Sequence, residues 1–177
     1  MNLQNSGGMV MKKIMASALL IMMCALMLFG CGEGNTADTG NAALKDVALS
    51  TAMEKLNEEI FDKDSMKTVD SLDKLELYYD IAPADVAEFA AEIAKNSATE
   101  INEAVIIKAT DADAAKRVAE KLELRLQSQK DLCASYSAEL LAVAEKCEVR
   151  TKDVLVTLIV CDNYQKAISI CDEVLFG

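Results

Sequence analysis

Apolar and polar residues recur along the chain with the periods that distinguish helices from strands. Over residues 44–61, apolar positions return every three or four residues and charged residues fill the positions between them, which predicts an amphipathic helix. The same period, together with capping residues, predicts further helices at residues 71–79, after Thr110 and Asp111, at residues 137–147, and from Asp162 or Asn163 to about Leu175.

Strand signals are fewer. Residues 104–109 and 154–161 are short runs rich in β-branched side chains, which are typical of strands. Residues 86–94 fit either one face of a helix or a half-buried strand; their Ala and Glu content favours a helix, whereas the marginal stability of a two-stranded sheet favours a third strand. The pattern predicts an α+β domain, with helices packed on one face of a small, mostly antiparallel sheet of about three strands.

The N-terminal segment has the pattern of an export signal. Lys12 and Lys13 precede residues 14–29, an apolar run of 16 residues, which is shorter than the roughly 20 residues of a membrane-spanning helix. We therefore expect residues 1–30 to be a signal peptide, with Met9 or Met11 as alternatives to Met1 for the start of translation. An uncleaved signal anchor is the alternative to cleavage.

The end of this run, Leu28-Phe29-Gly30-Cys31, resembles the signal of bacterial lipoproteins, although Phe29 stands where Ala, Ser or Thr is more usual. The resemblance implies that the Cys31 thiol receives a diacylglyceryl group and that Cys31 becomes the new N-terminus. Two or more acyl chains, such as palmitate, suffice for stable anchoring. We expect residues 31–43, which are small and polar, to form a flexible tether, and residues 44–177 to form a single domain on the extracytoplasmic face of the cell membrane.

Composition then removes several classes of function. The 177 residues carry a formal net charge of −11 and the signal peptide contains no acidic residue, so we expect an acidic domain that does not bind nucleic acid. There is no histidine, and no glycine occurs in residues 41–176, which excludes histidine-based catalysis and glycine-rich phosphate loops there. No cofactor and no metal is expected, and the sequence contains no recognisable catalytic signature.

The cysteines permit two interpretations. Cys24 lies within the apolar run and Cys31 is the predicted lipid site, which leaves four cysteines on or near apolar faces of the domain. Buried free thiols are the favoured interpretation. At least one disulfide, in one of three pairings, is the alternative for an exported protein; the four are Cys133, Cys147, Cys161 and Cys171.

Other candidate groups have plainer explanations. Ser71 and Lys74 match the S-x-x-K spacing of penicillin-binding proteins, but K-T-G is absent and a solvent-facing helix turn is the favoured interpretation. Asp111 and Asp113 are the nearest approach to a calcium loop, yet Asp111 is better explained as a helix cap.

Glu100 and Glu103 flank the start of a strand and are expected to face water. Four tyrosines could line a groove, although packing in the core or at its rim is the default: Tyr78, Tyr79, Tyr136 and Tyr164. Basic residues that alternate with Glu120 and Glu123 predict a solvated helix face: Lys116, Arg117, Lys121, Arg125 and Lys130.

The segments LYYDIAPADVAEF, EAVIIKATDADAAKRVAEKLELRLQSQ and DVLVTLIVCD, with the break at Tyr136 and Ser137, resemble an uncharacterised domain carried by small lipoproteins of Gram-positive anaerobes. The resemblance covers about residues 44–176 and rests on Tyr79-Asp80-Ile81, the strand that contains Glu103, and Arg125. It implies a cell-surface lipoprotein and a hairpin at residues 86–94. It implies no activity.

These observations support two hypotheses of function, while a third, a solute-binding lipoprotein, is disfavoured because one small domain lacks the two lobes that usually close on a ligand. The first is a membrane-anchored lipoprotein whose domain binds or scaffolds another envelope component without catalysis. The second is an envelope hydrolase or accessory enzyme that uses carboxylates, or Ser71 and Lys74.

Overall fold

The computed structural model of the chain describes residues 43–97 and 99–177. Five helices and five strands occur in these ranges. In chain order they are α1 (Leu49–Glu59), β1 (Met66–Thr68), α2 (Leu72–Tyr79), β2 (Val86–Ala94), β3 (Glu103–Ala109), α3 (Ala112–Tyr136), α4 (Ala138–Ala144), β4 (Val149–Lys152), β5 (Leu155–Val160) and α5 (Tyr164–Leu175). The predicted signal peptide, Cys31 and nearly all of the predicted tether lie outside the described residues.

The strands form one antiparallel sheet with the order β1-β2-β3-β5-β4. The α+β class and the antiparallel sheet are confirmed, but the predicted number of about three strands is wrong because β1 and β4 were not foreseen. These two edge strands contain only 3 and 4 residues, which is too short for an alternating pattern to stand out from a loop.

Residues 86–94 form strand β2, as the argument from sheet size predicted and the helix propensities of Ala and Glu did not. The strand pairs with β3 along most of its length and with β1 near its end, where Ile93 faces Lys67. Ala91 is buried at 2% exposure. Pairing on both sides therefore outweighs the intrinsic preference of these residues for a helix.

Helices cover both faces of the sheet, contrary to the prediction of one face. The Glu103 side chain, at the start of β3, accepts hydrogen bonds from α3. Lys108 points to the opposite face because it lies an odd number of positions along the same strand, and its pairing partner Glu88 accepts from the backbone N–H of Leu49 at the start of α1. Helices α1 and α3 therefore lie on opposite sides of the sheet.

Burial on both faces explains the continuous apolar runs of the central strands. Every residue of β5 is buried, as are all of β3 except Lys108. Such runs are expected where a strand is covered on both sides, whereas a strand covered on one side alternates. The core consequently extends through two layers, with α1 and α5 on one face and α2 and α3 on the other.

Local capping chemistry fixes the helix starts. The side-chain oxygens of Ser71, Asp111 and Ser137 accept backbone N–H groups in the first turns of α2, α3 and α4. Helix α1 begins at Leu49, five residues later than predicted. Within the two described ranges, no helix is both long enough and apolar enough to cross a membrane.

Candidate functional site

A cleft of about 390 Å³ opens between α3 and the ends of β1 and β2. It lies on the α3 side of the sheet, because Lys67 pairs with Ile93 and Ile93 pairs with Glu103. We call it the α3 cleft and define it by Lys67, Lys95, Glu100, Arg125, Gln129 and Tyr136.

A buried carboxylate lies at the base of the α3 cleft. Glu103 is only 1% exposed, and its two oxygens accept from Nε of Arg125 at 3.2 Å each. Nη2 of Arg125 and Nε2 of Gln129 also donate to Oε2 of Glu103, at 2.8 Å and 2.7 Å. Arg125 and Gln129 are four residues apart and thus share one face of α3. The carboxylate therefore compensates one charge and holds two side chains of the cleft in fixed orientations.

Tyr79 packs beneath this pair. The guanidinium carbon of Arg125 lies 5.9 Å from the centre of the Tyr79 ring. Burial, and then the negative charge of Glu103, raise the pKa of Tyr79 well above its ordinary value. Burial alone would lower the pKa of Arg125, but its hydrogen bonds to Glu103 and the charge of that carboxylate outweigh burial and raise it. Tyr79 therefore stays neutral and Arg125 stays charged at physiological pH.

Two buried acceptor oxygens on residues that line the cleft receive no hydrogen bond from the described residues. They are Oε1 of Gln129 and Oε2 of Glu100, and Glu100 also borders a second cleft beside α4. Gln129 is 8% exposed, and because its Nε2 is bound to Glu103, its Oε1 is the atom left over. A buried acceptor without a donor costs about 1–3 kcal/mol, so each such atom in a native protein calls for an explanation.

Two lysines at the mouth of the cleft lack a carboxylate partner within the described part of the chain. Nζ of Lys67 donates to the Tyr78 hydroxyl at 3.0 Å, and Nζ of Lys95 donates to the backbone oxygen of Asp64 at 2.8 Å. Both ammonium groups therefore keep spare N–H donors. The chain as a whole has a net charge of −11, so the two lysines make the mouth of this cleft a local region of positive charge.

The rim of the cleft is apolar on the α3 side. Leu132 and Tyr136 lie one helical turn apart and are 57% and 46% exposed. Exposed apolar side chains beside a concave polar surface are typical of ligand sites.

The structure does not bring Ser71 and Lys74 together as nucleophile and base. Oγ of Ser71 accepts from the backbone N–H of Lys74 and so caps α2. The Lys74 ammonium instead pairs with Asp70 at 2.7 Å, and this hydrogen bond lowers the pKa of the Asp70 carboxyl. The predicted solvent-facing helix turn is the better description.

The aspartates at the start of α3 have the role that capping predicts. Asp111 accepts from the backbone N–H groups of Asp113 and Ala114, and the Asp113 carboxylate pairs with Lys116 at 2.7 Å. Across residues 43–97 and 99–177, no three Cys, Asp or Glu side chains come together as a set of metal ligands.

The expectation that Glu103 faces water is wrong. Its partners on α3 are 22 and 26 residues away, so no local pattern reveals its burial. The expectation of a solvated basic face on α3 fails for Arg125, which points inward. Arg117 pairs with Asp85, which lies in the 83–85 turn. Lys121 pairs with Asp80, which lies just before that turn.

Sequence reasoning missed Gln129, although a signal was present. Leu122, Leu126, Gln129 and Cys133 follow one another on the buried stripe of α3, and Gln129 is the polar member. A polar residue within an apolar stripe indicates a buried hydrogen-bond partner on a neighbouring element.

The remaining candidates divide between core and cleft. The four cysteines are free and buried, which confirms the favoured interpretation; burial raises the pKa of Cys161 and of Cys171 to about 12. Tyr79 and Tyr164 belong to the core, whereas Tyr78 and Tyr136 line the α3 cleft.

Comparison with known families gives one match. The family described as Domain of unknown function (DUF4358) matches residues 59–161, a range that contains Glu103, Arg125 and Gln129. Neither the curated proteins nor the solved structures contain a match to the chain. The match covers more than half of the chain and confirms the expected membership of an uncharacterised domain family. On this match, the chain belongs to the DUF4358 family.

Proposed function

We propose that the chain is an extracytoplasmic lipoprotein, anchored through Cys31, whose domain binds a component of the cell envelope in the α3 cleft without catalysis. The observation that carries the binding role is the buried Oε1 of Gln129, held in place at the base of an open cleft and left without a donor among the described residues. A ligand N–H group would satisfy it.

The arrangement of the base supports binding rather than chemistry. Both oxygens of Glu103 are engaged by Arg125, and Gln129 donates to one of them, so the carboxylate positions its neighbours. Side chains locked by mutual hydrogen bonds present a rigid surface, which lowers the entropic cost of binding. Ser71 and Lys74 have separate structural partners.

The sequence supports the proposed anchor. A lipidated Cys31 and a tether of about twelve residues would let the domain reach roughly 20 Å from the membrane. The acidic domain would be repelled by anionic lipid headgroups, which favours a position away from the bilayer. The partners of the protein are then the membrane, through its lipid, and another envelope component, while nucleic acid is disfavoured by charge.

The anchor is tested by replacing Cys31 with alanine and labelling cells with a palmitate analogue that can be detected on gels. We expect the label and the membrane fraction to be lost together in Cys31→Ala. The matched control is Cys24→Ala, which should keep both. Label that persists in Cys31→Ala would contradict the assignment of the lipid site.

The cleft is tested by site-specific photocrosslinking in intact cells. A photoreactive phenylalanine at Tyr136, on the rim, should capture an envelope component, and Gln129→Met should reduce the yield. The same group at Leu124 is the control, because Leu124 is 65% exposed on the same helix and does not line the cleft. Equal capture from both positions, or none from Tyr136, would contradict binding in the cleft.

A further inference from the structure

The polar groups of the α3 cleft narrow the chemistry of its ligand. We propose that the cleft takes a small zwitterion, a short peptide with a free amino group and a free carboxylate. This inference rests on the proposed binding function and adds the class of ligand.

The amino group is assigned to the acceptor side of the cleft. Oε1 of Gln129 and Oε2 of Glu100 are buried atoms that receive no hydrogen bond from residues 43–97 and 99–177. Neither a side-chain carbonyl oxygen nor a carboxylate oxygen can donate, so both need a hydrogen-bond donor. An ammonium group has three donors and a charge opposite to that of Glu100, so among donors it suits this side of the cleft best.

The carboxylate is assigned to the donor side. Lys67 and Lys95 each use one N–H on an uncharged oxygen, which leaves two on each ammonium. Arg125 adds a guanidinium whose side chain is 35% exposed toward the cleft, although Glu103 already compensates its charge. A ligand carboxylate would supply the anionic partner that both lysines lack in the described structure.

Simpler ligands fit only half of the site. Phosphate or a fatty-acid carboxylate would satisfy the lysines, but it would bring further acceptors toward Gln129 and Glu100. A plain amine would satisfy those two acceptors and leave the lysine charges unmatched. Acceptors and donors lie in one cleft of about 390 Å³, which is at the small end of ligand pockets. Tyr78 and Leu132 add apolar surface for short side chains.

The test is isothermal titration of the full chain in detergent micelles with dialanine and dileucine. Each peptide is compared with its N-acetylated form and with its C-terminal amide. We expect binding of the free peptides and at least a tenfold loss of affinity when either end is blocked. Equal affinity of free and blocked peptides, or no binding of either free peptide, would overturn the proposal.

Variants test which side chain of the cleft binds each end of the peptide. Glu100→Gln, at a partly buried position, should weaken the free peptide several-fold and leave the acetylated peptide unchanged, since that peptide has no ammonium group. Lys67→Met should weaken the free peptide and leave the amide unchanged. Glu123→Gln is the control, because Glu123 is exposed on α3 outside the cleft. Equal losses for free and blocked peptides would overturn the assignment of the two ends.

Together, the peptide test and the crosslinking test distinguish a wrong ligand class from a wrong binding function. If Tyr136 still captures an envelope component while no free peptide binds or competes, the cleft binds a ligand and the zwitterion proposal is wrong. If neither experiment shows binding, the proposed function and this inference are both wrong.

Discussion

Replacement of Arg125 by methionine should destabilise the domain strongly, because it leaves the Glu103 carboxylate buried with a single donor. Methionine is an unbranched apolar side chain, and it removes all three hydrogen bonds from the guanidinium to Glu103 together with the guanidinium that lies over the Tyr79 ring. Breaking a buried ion pair by removing one partner costs about 3–5 kcal/mol. Glu103 is 1% exposed but the Arg125 side chain is 35% exposed, so water can replace part of the lost interaction. We expect a loss of about 3 kcal/mol, at the lower end of that range.

The double variant Glu103→Gln with Arg125→Met separates the buried charge from lost packing. The neutral amide can still accept from Nε2 of Gln129, and no charge remains in the interior. We expect the double variant to lose about 1–2 kcal/mol, less than Arg125→Met alone, because only hydrogen bonds are then missing. The decisive result is which of the two variants has the lower free energy of unfolding.

The measurement is urea unfolding of the chain that begins at residue 31, with Cys31 replaced by serine so that no lipid is attached. The free energy of unfolding should fall with little change in its dependence on urea, since the unfolded state exposes the same surface. Lys116→Met is the matched control, because Lys116 and Asp113 form an ion pair on the same helix with side chains 73% and 76% exposed, and its loss should matter much less. A loss for Arg125→Met no larger than that for the control, or a double variant less stable than the single, would refute the reasoning.

Three further predictions concern the stability of the domain and the accessibility of its thiols. Ser71→Ala should lower the free energy of unfolding by about 1 kcal/mol through loss of the α2 cap, while Ser71→Asp should retain most of it and neither should change peptide binding; denaturation and titration check both. All four cysteines of the chain from residue 31, with Cys31→Ser, should react with a thiol reagent only after unfolding; rapid labelling of the native protein would contradict their burial. Stability should change little between neutral pH and about pH 9 and fall between pH 9 and 12, because Cys161, Cys171 and Tyr164 ionise near pH 9–10 when unfolded but only near 12 when folded; denaturation curves across this range test the sign.

Features that depend on nearby residues were predictable from the sequence. The caps at Ser71, Asp111 and Ser137 act within three residues, and the long strands β3 and β5 show as β-branched runs. These signals are local because a cap bonds its own first turn and an apolar run is visible whichever element covers it.

Features that depend on partners distant in the chain were not predictable in the same way. Glu103 has the sequence context of a solvated strand end, and only the fold places Arg125 and Gln129 against it. Strands β1 and β4 exist because neighbouring strands offer them an edge. Residues 86–94 are intermediate: their composition favoured a helix, and only the requirement for a larger sheet favoured the observed strand.

The α3 cleft itself follows from unequal element lengths. Helix α3 has 25 residues and is about 37 Å long at 1.5 Å per residue, whereas the 7 residues of β3 span about 23 Å. A helix that packs on a shorter strand must extend beyond it. Where the strand ends, the helix residues have the sheet beneath them on one side and open space on the other. Gln129 and Arg125 lie at this transition, with Glu103 at the matching end of β3. Polar groups can be buried there because they bind one another and still border an open space, so the site arises from the length of the helix relative to the sheet and from no contiguous motif.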